Sequence, residues 1–379
     1  MIILYIKQQT MKQLLFLLAA SFMSINAFPF TPEIKNIKLK DGEEITARLC
    51  LPDNDVKTIV FCVPGTGPST YLTKRTTFNY YDELANGFCE QGLAFFTYNR
   101  RGCTNSETPP LFVDVDSVKY AKYCPLQEAE DIEVMISSLV KDRRFKNCKI
   151  ILYGISEGTI IAPLVAERKK VRADALLLHG YAHDNMFDII KWQNQGHGVM
   201  IMVNSIFDKD SDKRISKEEY EASGEQLAQQ RGHLFQNMPF NSLDIVADGF
   251  IDIKDIQKMR EPFHDYLMKC VQNHNYQWIK TSYFNITPHW FKSHFELEPN
   301  KTRLFRIQIP IYVFHGEEDA NVPVESVSDL KSRFDVCNKT NLNVYIFKKH
   351  NHDLNFQDVL SQKKWSEGFE TIFKVAKSI

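Results

Sequence analysis

Cys148-Lys-Ile-Ile-Leu-Tyr-Gly-Ile-Ser-Glu-Gly-Thr159 decides how the rest of the chain is read. An apolar, β-branched run from Ile150 to Tyr153 ends in Gly154-Ile155-Ser156-Glu157-Gly158, and a helix-like segment, Thr159 to Arg168, follows at once. Gly-x-Ser-x-Gly between a strand and a helix is a nucleophile elbow. The turn is so tight that the residues two before and two after the Ser crowd together, so both must be Gly or very small. The Ser156 hydroxyl then stands clear of the sheet at the positive end of the following helix.

Outward from the elbow, strand and helix patterns alternate. Ile37 to Leu49 reads as two strands joined at Asp41-Gly42. Thr58 to Val63 is a continuous apolar run, the mark of a central strand, broken by Pro64-Gly65-Thr66-Gly67-Pro68. A helix is expected near 80–90, a strand over 93–98, a helix over 126–141 and a strand over 173–178. From 183 to 305 the pattern turns helical and Asp-rich, dotted with Trp and His. Alternation then resumes with strands at 309–314 and 342–347 and helices near 324–334 and 364–377. This predicts an α/β fold with a mostly parallel sheet, split into 28–182 and 306–379 by a helical cap.

A nucleophilic Ser needs a base to take its proton and an acid to orient that base. Behind such an elbow the chain order is Ser, then Asp or Glu, then His. His315-Gly-Glu-Glu-Asp319 follows a strand directly, which makes Asp319 the candidate acid and Glu318 the second choice. Of eleven His, only His350 and His352 lie beyond it. His352 is further from the strand end and is preferred. An oxyanion needs two backbone N–H donors. Glu157, directly after the nucleophile, supplies one; Thr66, in the Gly-rich turn, supplies the other.

With these motifs in place, the chain resembles the α/β-hydrolase superfamily, especially bacterial esterases and acyl-peptidase-like hydrolases of its dienelactone-hydrolase and prolyl-oligopeptidase branches. The resemblance rests on Pro64-Gly-Thr-Gly-Pro68, Tyr98-Asn-Arg-Arg-Gly102, Gly154-Ile-Ser-Glu-Gly158, and His315-Gly-Glu-Glu-Asp319 with Asn351-His352-Asp353. It covers roughly 34–182 and 306–379. Asn99, Thr104 and Ile155 depart from the family pattern, at positions that touch loop packing more than the triad. The resemblance implies a serine hydrolase acting on a small-molecule ester or acyl-peptide, with no cofactor in the chemistry. A peptidase or amidase uses the same machinery. A different class of reading is a catalytically inactive calcium-binding module on a hydrolase scaffold.

Calcium enters through the cap. Asp208-Lys-Asp-Ser-Asp-Lys-Arg-Ile-Ser-Lys-Glu-Glu219 fits a twelve-residue calcium loop. Asp208, Asp210 and Asp212 hold positions 1, 3 and 5, the Arg214 carbonyl position 7, Ser216 position 9 and Glu219 position 12. Position 6 is Lys213 where Gly is usual, so Lys213 must hold a positive φ at a cost of roughly 1 kcal/mol. Ile215 at position 8 is the residue through which paired loops make a short β contact. A weaker match starts 244 − 208 = 36 residues on, with ligands Asp244, Asp248, the Phe250 carbonyl and Asp255, and with Val246 in place of a third carboxylate. The segment of about 200–262 therefore resembles an EF-hand pair, with calcium in a structural role.

Composition bounds the rest. Lys plus Arg is 46 and Asp plus Glu is 47, for a net charge of −1, which gives no general argument for nucleic acid or an anionic membrane surface. Lys12, then the apolar Leu14–Met23 and small Ala27 read as a signal peptide over 1–27, too short to span a bilayer. A secreted or periplasmic protein is expected; its Cys spacings match no known disulfide framework, and Cys103 and Cys124, flanking one long loop, are the most plausible pair if one forms. No Cys-x-x-Cys occurs, which argues against zinc.

Overall fold

The computed structural model describes residues 29–379, so the signal-peptide segment lies outside the described residues. Eight strands form the central sheet: β1 (Thr31–Lys38), β2 (Glu44–Leu51), β3 (Thr58–Val63), β4 (Ala94–Tyr98), β5 (Lys149–Ile155), β6 (Ala175–His179), β7 (Ile311–Gly316) and β8 (Leu342–Phe347). Their order is β1-β2-β4-β3-β5-β6-β7-β8. The β1–β2 and β2–β4 pairs are antiparallel, and every later pair is parallel. Thr58–Val63 is buried at every position because it lies mid-sheet, paired to β4 on one side and to β5 on the other.

The period of two along these strands divides the core. Ile59, Phe61, Ile150 and Leu152 face α2 (Pro125–Leu139), α3 (Gly158–Arg168) and α10 (Glu325–Val336). Val60, Cys62, Ile151 and Tyr153 face α1 (Tyr80–Cys89) and α11 (Glu367–Ser378). Both faces are covered, so the parallel strands read as unbroken apolar runs.

The run between β6 and β7 is helical as expected. Its longer helices are α4 (Met186–Asn194), α5 (His197–Phe207), α6 (Glu225–Phe235), α7 (Ile253–Gln272), α8 (Tyr276–Ser282) and α9 (Pro288–Phe295). No helix among the described residues is long and apolar enough to cross a membrane.

Departures from the sequence reading are local. Ladder pairing starts at Ile311 rather than Ile309, because Pro310 has no N–H to donate. The last helix starts at Glu367, capped by the Ser366 hydroxyl, and a separate short helix, Gln357–Gln362, precedes it. The long loop after β4 holds a small hairpin, Cys103–Asn105 with Val113–Val115. The Cys103–Cys124 pair, the most plausible disulfide in the sequence, is not formed: both are free. Cys103 is buried in that hairpin among the cap-facing aromatic residues, and Cys124 is the N-cap residue of α2.

Candidate active site

Ser156 sits where β5 hands over to α3, at φ +53. That left-handed conformation costs roughly 1–3 kcal/mol for a non-Gly residue and persists only where the surroundings over-determine it. Here they do. A Cβ on Gly158 would lie 2.1 Å from the Val63 carbonyl oxygen, and one on Gly154 would lie 2.3 Å from the Gly158 carbonyl oxygen. The Ser156 N–H also donates to the His179 carbonyl at 2.8 Å, which ties the turn to β6.

The loops after β7 and β8 bring Asp319 and His352 together. His352 Nδ1 stands 2.8 Å from Asp319 Oδ2. The other Asp319 oxygen accepts the Asn321 and Val322 N–H groups at 2.8 and 2.9 Å. Burial disfavours charge on both side chains, but each outweighs it for the other. The His352 charge and hydrogen bond hold the Asp319 carboxyl below its ordinary range, and Asp319 raises the His352 imidazole above 6.5. His350 makes no such pair; its Nδ1 meets the Lys348 carbonyl at 2.8 Å. Glu318 is the less buried neighbour, while Asp319 is 1% exposed.

His315 also faces Asp319, at 3.3 Å, a contact the sequence reading missed. Its Nδ1 accepts the Tyr181 N–H at 3.2 Å, so the proton sits on Nε2, 3.1 Å from the Val322 carbonyl. His179, buried between Tyr153 and the His352 carbonyl, is pushed down to about 3 by burial and stays neutral.

Ser156, His352, Thr66 and Glu157 line one cavity of about 500 Å³. Its walls are mixed: Phe78, Tyr80 and Phe356 from the core and Met186, Ile189 and Phe284 from the cap share them with Arg75, Asp353 and Gln193. No hydrogen-bond acceptor among the described residues takes the Thr66 or Glu157 N–H. A hydroxyl, an imidazole backed by a carboxylate, and two free N–H donors opening on one cavity are what acyl transfer through a covalent intermediate requires.

The Glu157 side chain has a second life that the sequence reading gave it no credit for. It is 1% exposed and accepts hydrogen bonds from Trp290 Nε1 and His294 Nε2, each at 2.7 Å, and from the Tyr123 hydroxyl. Arg100 lies 4.0 Å away. Burial pushes the carboxyl up, but His294, Arg100 and Tyr123 together bring it below its ordinary range. Arg100 stood in a quoted motif, but Trp290 and His294 carried no signal beyond their four-residue spacing on one helix.

The calcium-loop residues lie far along the chain, in the cap. Oxygens of Asp208, Asp210 and Asp212 all fall within 4.8 Å of one another. Lys213 has φ +66, as its position demands. Glu219 closes the loop: its carboxylate accepts the Lys209 N–H at 2.8 Å and the Ser216 N–H at 2.9 Å, and Ser216 also caps the next turn. Ile215 pairs with Ile251, and Ser216 with Phe250, in a two-residue antiparallel ladder between the two loops. The Arg214 guanidinium, 3.9 Å over the Phe250 ring, adds a second link.

The second loop repeats the backbone pattern of the first. Asp244 accepts the Asp248 and Gly249 N–H groups, and Asp255 accepts those of Ile245, Val246 and Asp252. Lys254 puts its ammonium 3.2 Å from Asp248 and 3.3 Å from Asp252. In both loops a cation already meets the position-5 carboxylate, Arg214 on Asp212 at 3.0 Å and Lys254 on Asp248; the first loop has the fuller donor set for a hard divalent cation.

No protein-family model matches the chain. No curated protein matches it in sequence. Solved structures do match. An esterase of Pyrococcus furiosus is similar over 93% of each chain at 13% identity, with a TM-score of 0.50. A highly thermostable carboxyl esterase from Bacillus coagulans, solved in complex with glycerol, is similar over 92% of this chain and 99% of its own, at 15% identity and a TM-score of 0.52. At this identity the likeness speaks to architecture: the chain has the α/β-hydrolase fold.

Proposed function

We propose that this protein is a serine hydrolase that cleaves carboxylic esters through an acyl-enzyme. Ser156 attacks the carbonyl carbon. His352 takes the Ser proton and later returns it to the leaving alcohol, while Asp319 holds the imidazole in the tautomer that presents Nε2. The N–H groups of Thr66 and Glu157 receive the oxyanion. Water then repeats the sequence on the acyl-enzyme. The observation that carries this reading is the strained Ser156 elbow opening on the same cavity as the Asp319-paired His352. A volume of about 500 Å³, with apolar side chains from both core and cap beside polar ones, suits a small acyl ester. That the two similar structures are esterases supports an ester over an amide.

The first cap loop holds a structural calcium, with Asp208, Asp210, Asp212, Ser216, Glu219 and the Arg214 carbonyl as ligands. The ion takes no part in the chemistry; it neutralises carboxylates that otherwise repel one another. The leader read in the first residues routes the protein out of the cytoplasm.

The test is covalent. Wild type should react with a fluorophosphonate probe at Ser156 and hydrolyse chromogenic esters. Ser156→Ala should lose the label and about 10⁴-fold or more of turnover while keeping its fold. Ester turnover at wild-type rate in Ser156→Ala would overturn the assignment.

A further inference from the structure

The residue after the nucleophile carries a buried charge that the triad does not use. Glu157 is enclosed by side chains from both halves of the molecule: Tyr123 and Arg100 from the core, Trp290 and His294 from α9 of the cap. Trp290 and His294 are four residues apart, so they share one helix face. Thr287 caps that helix by accepting the Trp290 N–H at 3.1 Å, which fixes where the face points.

Arg100 is the second half of the arrangement. Its guanidinium lies 4.1 Å over the Tyr123 ring, and Nε meets both Glu128 oxygens at 3.0–3.1 Å. Its Nη1 donates to the carbonyls of Gly65, at 2.8 Å, and Gly67. The Gly65 carbonyl and the Thr66 N–H belong to one planar trans peptide and point in opposite directions. Holding the Gly65 oxygen on Arg100 therefore turns the Thr66 N–H the other way. One oxyanion donor is aimed by Arg100, and the other is the main-chain N–H of the residue whose carboxylate faces Arg100.

We propose that Arg100 and the Glu157 carboxylate form one positioning unit that aims both oxyanion donors, and that the cap completes it through Trp290 and His294. The proposal rests on the hydrolase reading above and adds to it that the cap governs the chemical step. A cap that only shaped the substrate entrance would act on KM. A cap that braces Glu157 acts on kcat, because the oxyanion forms only as the transition state is approached.

The experiment removes single donors. Tyr123→Phe and Trp290→Phe each delete one hydrogen bond to Glu157 and keep an aromatic ring. Active sites are counted by fluorophosphonate titration, so that misfolded molecules drop out, and kcat per titrated site and KM are measured on a p-nitrophenyl ester. Each variant should lose about tenfold in kcat with KM nearly unmoved, and Glu157→Ala about a hundredfold, on the scale expected for a misaimed catalytic group. The double variant should lose less than the product of the single losses, since both donors serve one carboxylate. Glu157→Gln keeps a carbonyl acceptor for Trp290 and His294 and should recover part of what Glu157→Ala loses. Unchanged kcat per titrated site in both Phe variants, or a loss confined to KM, overturns the proposal. Tyr123 lies outside the cap, so its variant decides the matter if the cap variants do not fold. A wild type that neither labels nor turns over ester would instead sink the hydrolase reading itself.

Discussion

At the scale of single residues, the Asp319–His352 pair yields a pH dependence whose sign can be worked out. His352 acts as a base only when neutral, so kcat/KM rises with pH through the imidazole pKa of the free enzyme. Burial alone lowers that pKa; Asp319 overrides burial and raises it above 6.5. The acid limb of wild type should therefore lie above the ordinary imidazole value. In Asp319→Asn the main raising charge is gone while burial and the weaker pull of Asp353 remain, so the limb should move to lower pH, with turnover down by about 10⁴-fold. Rates measured from about pH 5 to about pH 9 on both proteins check this. A limb that stays put in Asp319→Asn would reassign the acid. His352→Ala should match the loss in Ser156→Ala, whereas His350→Ala should be mild, since the His350 side chain bonds only its own loop and its backbone bond to Glu318 survives the change. The positions of these side chains were legible in the sequence because each follows a strand end in a fixed order. His315, Tyr123 and His294 were not, because a histidine or tyrosine that bonds a buried carboxylate has no spacing to betray it.

Among elements, the strand–turn–helix of the elbow shows why so much of the fold could be read beforehand. Runs such as Thr58–Val63 and Lys149–Ile155 are apolar throughout because helices cover both faces of the sheet. Two of the shifted limits have a local cause, Pro310 and the capping Ser366; the first strand also starts at Thr31, six residues before the apolar alternation read from Ile37. The Cys103–Cys124 disulfide that the loop suggested is absent, because loop length says nothing about where two sulfur atoms end up. The elbow itself makes a prediction. In Gly158→Ala the new methyl would stand 2.1 Å from the Val63 carbonyl, a backbone atom with no rotamer to yield. The turn must open, moving Ser156 and the Glu157 N–H together. The variant should lose about 1–3 kcal/mol of stability, as overpacked sites do, and most of its esterase turnover. Denaturant melts with matched ester assays test it, and a fully stable, fully active Gly158→Ala would show that the turn has slack the packing does not suggest.

Over the whole molecule, the cap links the candidate calcium loop to the elbow by continuous packing. The first loop pairs with the second through Ile215 and Ile251. The second loop runs straight into α7, whose first turn is capped by Asp252. That helix is 20 residues long, about 30 Å at 1.5 Å per residue, and packs on α8 and on α9, which carries Trp290 and His294 to Glu157. Without a cation, Asp208, Asp210 and Asp212 crowd their charges within 4.8 Å and should loosen the loop and the helices on either side. Calcium that binds only the folded form stabilises it by RT ln(1 + [L]/Kd), roughly 2.7 kcal/mol at a hundredfold excess over Kd. Chelation should therefore lower the melting temperature of the cap and raise its protease sensitivity before the sheet core responds. Because the cap braces Glu157, activity should fall in kcat, with KM moving less. Asp208→Ala should reproduce the chelated state even in excess calcium, since it deletes the position-1 ligand. Lys254→Ala should leave first-loop calcium binding in place, because its ammonium sits on the other loop. Calorimetry, thermal melts and ester kinetics on these three proteins decide the matter. Equal melts in chelator and in calcium, with no heat of binding, would leave the first loop as a solvated acidic turn and the cap as a brace that needs no metal.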